Sequence, residues 1–509
     1  MLLLEGCGVN RVARQQIVVG TTSQVRTLDP ADAYEFFAGN VLAYVTDRLY
    51  TYSADSPAVV PQLAADFPQV SPDGLVYRIP LRRGVKFHDG TDFNSGAMAF
   101  SLRRFMAKGG APSFLLQDVI DRLETPDLYT LVIHLKTPVP FFLKLLAFPG
   151  AGAVSPQFYQ QQQEFVADRV IGTGPYVLTE YKPGQVLRLR PFANYWGEKV
   201  KNQGIDIQFF SSSANLLNAF KTGAVDVAWQ TLSPYQIQNL QRQAARQQWQ
   251  VVEGESATIL YMSLNVTQPP LDDVRVRRAL ALAIDRELIA DRVFMGQRAP
   301  LYSLLPTTLP ESRPVFYRDV QQAKELLRQA GYSPDRPARI SLWYSPRYGG
   351  NGDLIATTLK AALARDLGGM LRLELEPVEP TTAYALIEAK VYPAFLFDWV
   401  PDILDSDNFL QPFLTCERQE NNICVEGSSA FQGSFFFEPE LNVLVKQQRQ
   451  VQDTDKRREI IDRIQTLTAE YVPFIPLWQN REYVFSHSYI RGVRLNSNQL
   501  LDLSSMITD

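Results

Sequence analysis

The sequence predicts an α/β fold that contains a parallel sheet. Helical and extended patterns alternate along one stretch: a helix over Asp353–Asp366, a strand over Leu371–Val378, a helix over Thr381–Lys390 and a strand over Ala394–Val400. Strands that alternate with helices in this way usually pair in parallel. Ligands of such sheets bind beyond the carboxyl ends of the strands, so the segment after Val400 is a candidate site.

Other parts of the chain carry clear element patterns. Buried or half-buried strands are predicted over Gln16–Thr21 and Leu75–Leu81, and Asn94 is predicted to cap a helix that ends at Met106. Apolar residues at helical spacing predict three further core helices with solvated basic residues, over Val274–Met295, Asp319–Ala330 and Thr454–Glu470.

Composition narrows the function classes. With 509 residues, 46% of them hydrophobic and 20% charged, the chain is an ordinary globular protein of two or three domains. Fifty basic and 54 acidic residues give a net charge of -4, which does not favour nucleic-acid binding. No apolar run is long enough to span a membrane as a helix.

A search for catalytic motifs favours a binding protein over an enzyme. The three histidines, His88, His134 and His487, are not spaced for metal ligation, and no nucleophile or phosphate-binding motif is present. Asp402 with Asp405 or Asp407 forms only a weak candidate acid/base pair. We therefore expect no catalytic residue, no metal and no cofactor.

The strongest binding candidate is the end of the strand Ala394–Val400. There an apolar run stops at Trp399 and is followed by Asp402, and an aromatic ring beside a carboxylate suits a cation with an apolar body. The alternative is a solvated loop with Trp399 in the core. Trp229, at the end of another strand, and Arg347, in a loop after a strand, are weaker candidates. The alternative for Trp229 is core packing, and the alternative for Arg347 is a surface charge.

The cysteines and the first residues suggest a location. Cys416 and Cys424, eight positions apart, either form a disulfide, which would place the chain outside the cytosol, or stay reduced. The opening MLLLEGC is similar to the end of a bacterial lipoprotein signal, with Cys7 as the lipidated residue and the true start upstream. The alternative is a frayed terminus.

A long ordered set of motifs resembles one protein family. Ser71–Phe93 reads SPDGLVYRIPLRRGVKFHDGTDF, and Phe100–Arg103 follows it. This stretch is similar to the signature of the bacterial extracellular solute-binding proteins that include the oligopeptide- and dipeptide-binding proteins of ABC importers. Later segments agree in order: Gly172–Tyr176, Asn194–Gly197, Pro270–Ala279, Ala283–Arg286, Ala323–Leu327 and Pro473–Leu477.

The resemblance implies a periplasmic-binding-protein-like α/β fold of type II, with two hinged lobes and an extra domain inserted in the first lobe. Lobe I would comprise residues 16–49, 171–264 and 477–509, after a tether over residues 1–15. The inserted domain would comprise residues 50–170 and lobe II residues 265–476. The implied protein is a monomer in the periplasm or cell envelope that delivers a peptide to a membrane permease.

The resemblance also implies site residues. Trp399, Val400 and Asp402 match the family segment whose aspartate holds the α-ammonium of a peptide, although Pro401 departs from it because proline has no main-chain donor. The ligand would run extended beside Ala31–Phe37, near Tyr34 and Phe36, and Arg347 would bind its carboxylate. A non-peptide solute, such as an oligosaccharide or a metal chelate, and a hydrolase remain as alternatives.

Overall fold

The computed structural model describes residues 16–54, 56–230, 232–346, 351–379, 386–387 and 389–509. Helices cover a large mixed sheet, and a smaller sheet stands apart from it. The α/β prediction is confirmed. Cys7 and Arg347 lie outside the described residues, as does most of the predicted helix Thr381–Lys390.

The first third of the chain contributes one strand and one helix to the main body and then forms a separate unit. In chain order its elements are β1 (Ile17–Thr21), α1 (Phe36–Val45), β2 (Tyr50–Tyr52), β3 (Val59–Pro61), β4 (Gln69–Val70), β5 (Val76–Pro80), α2 (Ser95–Ala107), α3 (Phe114–Gln117), β6 (Ile120–Asp127), β7 (Thr130–Leu135), α4 (Phe142–Leu145), a 3₁₀ turn at Pro149–Ala151 and α5 (Pro156–Tyr159). Asn94 caps α2 as predicted, because its side chain accepts from the N–H of Ala97. The four-stranded sheet β4-β5-β7-β6 and its helices share one hydrophobic core.

The middle of the chain returns to the main sheet. Its elements are β8 (Tyr176–Lys182), β9 (Val186–Pro191), β10 (Ile205–Phe209), α6 (Ser213–Lys221), β11 (Val227–Trp229), α7 (Pro234–Gln247) and the long strand β12 (Trp249–Leu264). Strand β1 pairs in parallel with β10 on one side and β11 on the other.

The last half supplies the other end of that sheet. Its elements are α8 (Val274–Ala283), α9 (Arg286–Arg292), β13 (Arg298–Pro300), α10 (Val320–Gln329), β14 (Ala338–Tyr344), α11 (Gly352–Leu367), β15 (Leu371–Pro377), β16 (Ala394–Trp399), α12 (Asp407–Leu414), β17 (Arg418–Glu420), β18 (Ile423–Glu426), α13 (Ser428–Phe431), α14 (Pro439–Gln448), α15 (Thr454–Tyr471), β19 (Phe474–His487), β20 (Ile490–Arg491) and β21 (Ile507–Thr508).

The strand order of the main sheet is β15-β14-β16-β12-β19-β11-β1-β10-β9-β8. Strand β14 pairs in parallel with both β15 and β16, which confirms the parallel arrangement predicted for this stretch. Strands β12 and β19 are antiparallel and long, and they connect the β14–β16 end of the sheet to the β1–β11 end. Their pairing is interrupted between Glu255 and Ile259.

The helix predicted over Val274–Met295 is wrong in one respect. The structure divides it into α8 and α9, because Ile284 is extended and the Asp285 side chain accepts from the N–H of Leu288 to start a new helix. Its arginines are not all solvated either. Arg277 and Arg286 are 4% and 1% exposed and donate to main-chain carbonyls of Tyr471 and Pro476.

Hydrophobic cores form on both sides of the long strand pair. Two clusters fill the β14–β16 end, and two others fill the end built on β1, β10 and β11, where the C-terminal residues Ile490, Leu501 and Met506 also pack. Within the described ranges, no helix combines the length and the apolar character that crossing a membrane requires.

Candidate ligand-binding site

The segment after β16 lies where the sequence predicts a site. Residues Ala394 to Phe397 are buried in the sheet, and the chain becomes accessible from Asp398 onward, before it reaches Asp402. The ring of Trp399 packs edge-on against Phe413 of α12 at 5.3 Å. The strand is therefore anchored by its apolar half, and its carboxyl end carries the polar groups.

Asp402 is held in place by α12. Its main-chain N–H donates to Oδ1 of Asn408 at 2.9 Å, and Nδ2 of Asn408 donates back to the Asp402 carboxylate at 3.3 Å. These two bonds fix both the backbone and the side chain of Asp402, so the carboxylate is oriented before any ligand arrives.

Tyr34 reaches Asp402 from the opposite side of the cleft. The Tyr34 hydroxyl lies close enough to the Asp402 carboxylate to stabilise its charged form, and the Tyr34 ring contacts Phe114 and Phe148 of the separate unit at 6.3 and 6.5 Å. Tyr34 belongs to the β1–α1 connection, whereas Asp402 follows β16. The two ends of the main sheet therefore meet where Tyr34 faces Asp402.

The electrostatics of Asp402 favour a cationic partner. Burial raises the pKa of Asp402, and the hydrogen bonds from Tyr34 and Asn408 only partly oppose that shift. Burial and the nearby Asp402 charge raise the pKa of Tyr34 as well, so its hydroxyl stays a donor. Among the described residues no lysine or arginine forms an ion pair with Asp402. A half-buried carboxylate without a cationic partner gains most from a ligand ammonium.

Two cavities meet at the Tyr34–Asp402 contact. One has a volume of about 390 Å³ and is bounded by the β1–α1 connection, the segment 398–404 and Asn498 to Leu500. The other has a volume of about 630 Å³ and lies between the separate unit and helices α12 to α14. Both are within the size range of small-ligand sites. The residues lining both are Tyr34, Trp399, Asp402 and Ile403.

Several predicted residues line the smaller cavity. Phe36, Val400 and Trp399 all face it, and Nε1 of Trp399 is buried without an acceptor. The segment Ala31–Phe37, predicted to lie beside an extended ligand, is a turn followed by the start of α1 at Phe36. Only its last non-helical residues, up to Glu35, can present extended backbone to a ligand.

Trp229 does not share this position. It is 1% exposed, and its ring packs against Phe36 at 6.3 Å and Phe37 at 5.4 Å, so the structure places it in the core. The reason is the sheet order. Strand β11 lies between β1 and β19, where α1 covers its face, whereas the segment after β16 remains open to the cleft.

Cys416 and Cys424 form a disulfide in the structure. The bridge ties together the β17–β18 hairpin, whose flanking residues Glu417 and Gly427 line the larger cavity. The disulfide therefore braces one wall of that cavity.

The contacts that close the cleft next to Asp402 could not be predicted from the sequence. Ile403 is 3% exposed and packs into the core of the separate unit. The N–H of Leu404 donates to the Tyr52 hydroxyl at 3.0 Å, and Lys144 donates to the Leu404 carbonyl at 2.7 Å and to Asp405 at 2.9 Å. No spacing rule relates these residues, because they lie hundreds of positions apart.

Asp405 is the most strongly ionised member of this group. Burial alone would raise its pKa, but the charges and hydrogen bonds of Lys144 and Arg457 outweigh burial and bring the pKa down to about 2. Asp405 therefore stays charged at neutral pH, and its ion pair with Lys144 joins the separate unit to the β14–β16 end. Among the described residues no group of three or more histidine, cysteine or acidic side chains is arranged to hold a metal.

Two cavities at the contact between the two ends of one large sheet suit a solute-binding protein. The sequence model of the bacterial extracellular solute-binding proteins, family 5 Middle, matches residues 58–421, and the chain belongs to this family. The family resemblance expected from the motifs is confirmed.

Curated relatives point the same way. A glutathione-binding protein, GsiB of Salmonella choleraesuis, is 31% identical over 338 residues, which is 66% of this chain and 64% of the relative's length. The di/tripeptide-binding protein 2 of Pseudomonas aeruginosa is 26% identical over 522 residues, covering 97% of this chain and 95% of the relative.

Solved structures confirm the fold. HbpA2 from Haemophilus parasuis has a TM-score of 0.82 at 22% identity, covering 97% of this chain and 100% of that one. A dipeptide-binding protein from Pseudoalteromonas sp. SM9913 in complex with Met-Leu has a TM-score of 0.79 at 23% identity over the same shares, 97% and 100%.

Proposed function

We propose that this protein is the substrate-binding protein of an ABC importer and that it holds short peptides in the cleft between its lobes. The observation that carries the proposal is the half-buried Asp402 carboxylate, which faces two cavities and has no cationic partner among the described residues. A peptide's α-ammonium supplies that charge. The di/tripeptide-binding relative, matched over 97% of this chain, supports the same ligand class.

The recognition of the rest of the peptide depends on main-chain groups and apolar walls. The ladder between β12 and β16 begins at Ile259, so residues 256–258, which line the smaller cavity, extend past the end of β16. An extended peptide can pair with such backbone without regard to its side chains. Phe36, Trp399 and Val400 offer apolar surface to the peptide side chains.

We also propose the lobe division stated above, with β12 and β19 as the connecting strands and the interruption between Glu255 and Ile259 as the flexible point. The protein then works as a monomer in the cell envelope and docks on a permease when closed. Its disulfide agrees with an oxidising compartment. Arg347 as a carboxylate ligand and lipid attachment at Cys7 remain predictions.

Native mass spectrometry of the purified protein tests this function. The protein is purified without denaturation, and the mass of the bound molecule is measured before and after the complex is dissociated. The proposal expects a population of linear peptides with free amino ends. A single sugar or a metal chelate in the cleft would show that the protein binds another class of solute. Release of cleaved products from added peptides would indicate a hydrolase.

A further inference from the structure

Arg48 is a buried cation without an ionic partner. It lies just after α1 and is 5% exposed, yet no described carboxylate is within ion-pairing distance of it. Nη2 donates to the Thr51 hydroxyl at 3.0 Å and Nη1 makes a long contact of 3.4 Å with the Ala43 carbonyl, while Nε has no acceptor. Of the five N–H donors of this guanidinium, only two make hydrogen bonds to described residues.

The neighbouring Asp47 carboxylate acts on Arg48 through its charge but makes no direct ion pair with it, so it compensates the guanidinium only in part. Asp47 accepts hydrogen bonds from Gln62, Thr173, Tyr195 and Trp196, so its oxygens are already occupied by neutral donors. Burial is the main cause that raises the pKa of Asp47, to about 6. Burial also lowers the pKa of Arg48. Both pKa shifts indicate that Arg48 and Asp47 are shielded from water. An anion that enters such an environment interacts strongly with a guanidinium.

Arg48 lines a polar pocket of about 270 Å³ that adjoins the smaller cavity. The two spaces have a common wall, formed by Tyr52, Ala147, Pro149, Asn498 and Leu500. Two acidic residues also line the pocket, but Asp502 is paired with Arg494 at 2.6 Å and Glu198 is exposed at the rim. The pocket therefore places a cation next to the cavity that Asp402 lines.

We propose that Arg48 binds the terminal carboxylate of the same short peptide whose ammonium is held by Asp402, and that the two charges together limit ligand length. This inference rests on the proposed function. The planar guanidinium matches a carboxylate by paired hydrogen bonds, which a lysine would not provide equally well. A peptide lacking a terminal carboxylate would leave Arg48 buried and uncompensated.

The test uses two pools of random di-, tri- and tetrapeptides, one with free carboxyl ends and one with C-terminal amides. Binding to the full-length protein is measured by native mass spectrometry and then by calorimetry on the best member of each length. The variants are Arg48→Gln, Arg48→Lys, Arg347→Gln and, as a matched control, Arg83→Gln, whose guanidinium is exposed over the Tyr129 ring. Thermal melting checks that each variant folds.

We expect the wild type and Arg83→Gln to prefer free acids by roughly 10- to 100-fold, since a hydrogen-bonded charge is lost with the amide. Arg48→Gln should bind acids and amides equally, and Arg48→Lys should keep part of the preference. If Arg48→Gln does not fold, the comparison rests on the wild type and Arg48→Lys.

Four results separate the two proposals. Equal binding of acids and amides by the wild type overturns the role of Arg48 and leaves peptide binding intact. Loss of the acid preference in Arg347→Gln but not in Arg48→Gln assigns the carboxylate to Arg347 instead. Amide-pool binders rich in Asp or Glu would mean that Arg48 reads a side chain and not the chain end. Binding of neither pool overturns the proposed function and this inference with it.

Discussion

The Tyr34 hydroxyl faces the Asp402 carboxylate across the cleft between the two ends of the main sheet and stabilises its charged form. Tyr34 precedes α1, and Asp402 follows β16. In this arrangement a neutral donor occupies the carboxylate that we assign to the peptide ammonium. Tyr34 therefore stabilises the charged form of Asp402 when the protein is closed.

Replacing Tyr34 with phenylalanine should shift the pH dependence of peptide binding. An ammonium is held by ionised Asp402, so affinity falls as pH drops through the pKa of that carboxyl. Burial already raises this pKa above its usual 3.8, and the Tyr34 hydrogen bond lowers it. Without that bond, the loss of affinity on acidification should begin at a higher pH. Calorimetry between pH 7.5 and 4.5 measures it.

Tyr235→Phe is the control for that variant, because Tyr235 lies on α7 and is 67% exposed. Its pH profile should match the wild type. Coincident profiles for all three proteins would show that Tyr34 does not influence the ionisation of Asp402.

Lys144→Met should weaken closure of the cleft. The variant removes the ion pair with Asp405 and the bond to the Leu404 carbonyl, while Arg457 still compensates Asp405 and preserves the fold. A partly exposed pair of this kind contributes about 1 kcal/mol, so peptide affinity should fall about fivefold. Small-angle scattering of the ligand-free variant should show a larger radius of gyration than the wild type.

Lys86→Met is the matched control, since Lys86 pairs with Asp92 within the separate unit and does not reach the cleft. Unchanged scattering from Lys144→Met would mean that the packing of Ile403 into the core of the separate unit, rather than the ion pair, holds the lobes together.

The disulfide should stabilise the wall of the larger cavity. The bridge closes a loop of eight residues, for which chain entropy predicts a contribution on the order of 2 kcal/mol. The double variant Cys416→Ser and Cys424→Ser should unfold at a lower urea concentration, and a reducing agent should lower the stability of the wild type but not of the variant. Equal sensitivity of both proteins to the reductant would contradict this role.

Some of the site could be predicted from sequence because its signal is local. An apolar strand that stops at Trp399, with Asp402 three residues on, marks the end of a sheet strand wherever that strand lies. Trp229 has a similar local pattern but lies in the core, because its neighbours in the sheet are set by strand order. A local sequence pattern does not reveal the order in which the strands lie in the sheet.

The closing contacts could not be predicted for the same reason. Lys144 and Asp405 are 261 positions apart, and no period or spacing connects them. The prediction of one continuous helix over Val274–Met295 also missed the break between α8 and α9. The apolar period continues through Ile284, and only the capping bond from Leu288 to Asp285 shows that a second helix starts there.

The most direct test of the central claim is a thermodynamic cycle on Asp402 and the peptide's amino end. Calorimetry compares the wild type with Asp402→Asn, each against one peptide identified by mass spectrometry and its N-acetylated form, with the exposed Asp335→Asn as control. Breaking a buried charge pair costs roughly 3–5 kcal/mol. Acetylation should therefore weaken binding to the wild type and to Asp335→Asn by more than about 100-fold, and should change binding to Asp402→Asn little. An equal effect of acetylation on wild type and Asp402→Asn would contradict the assignment of the ammonium to Asp402.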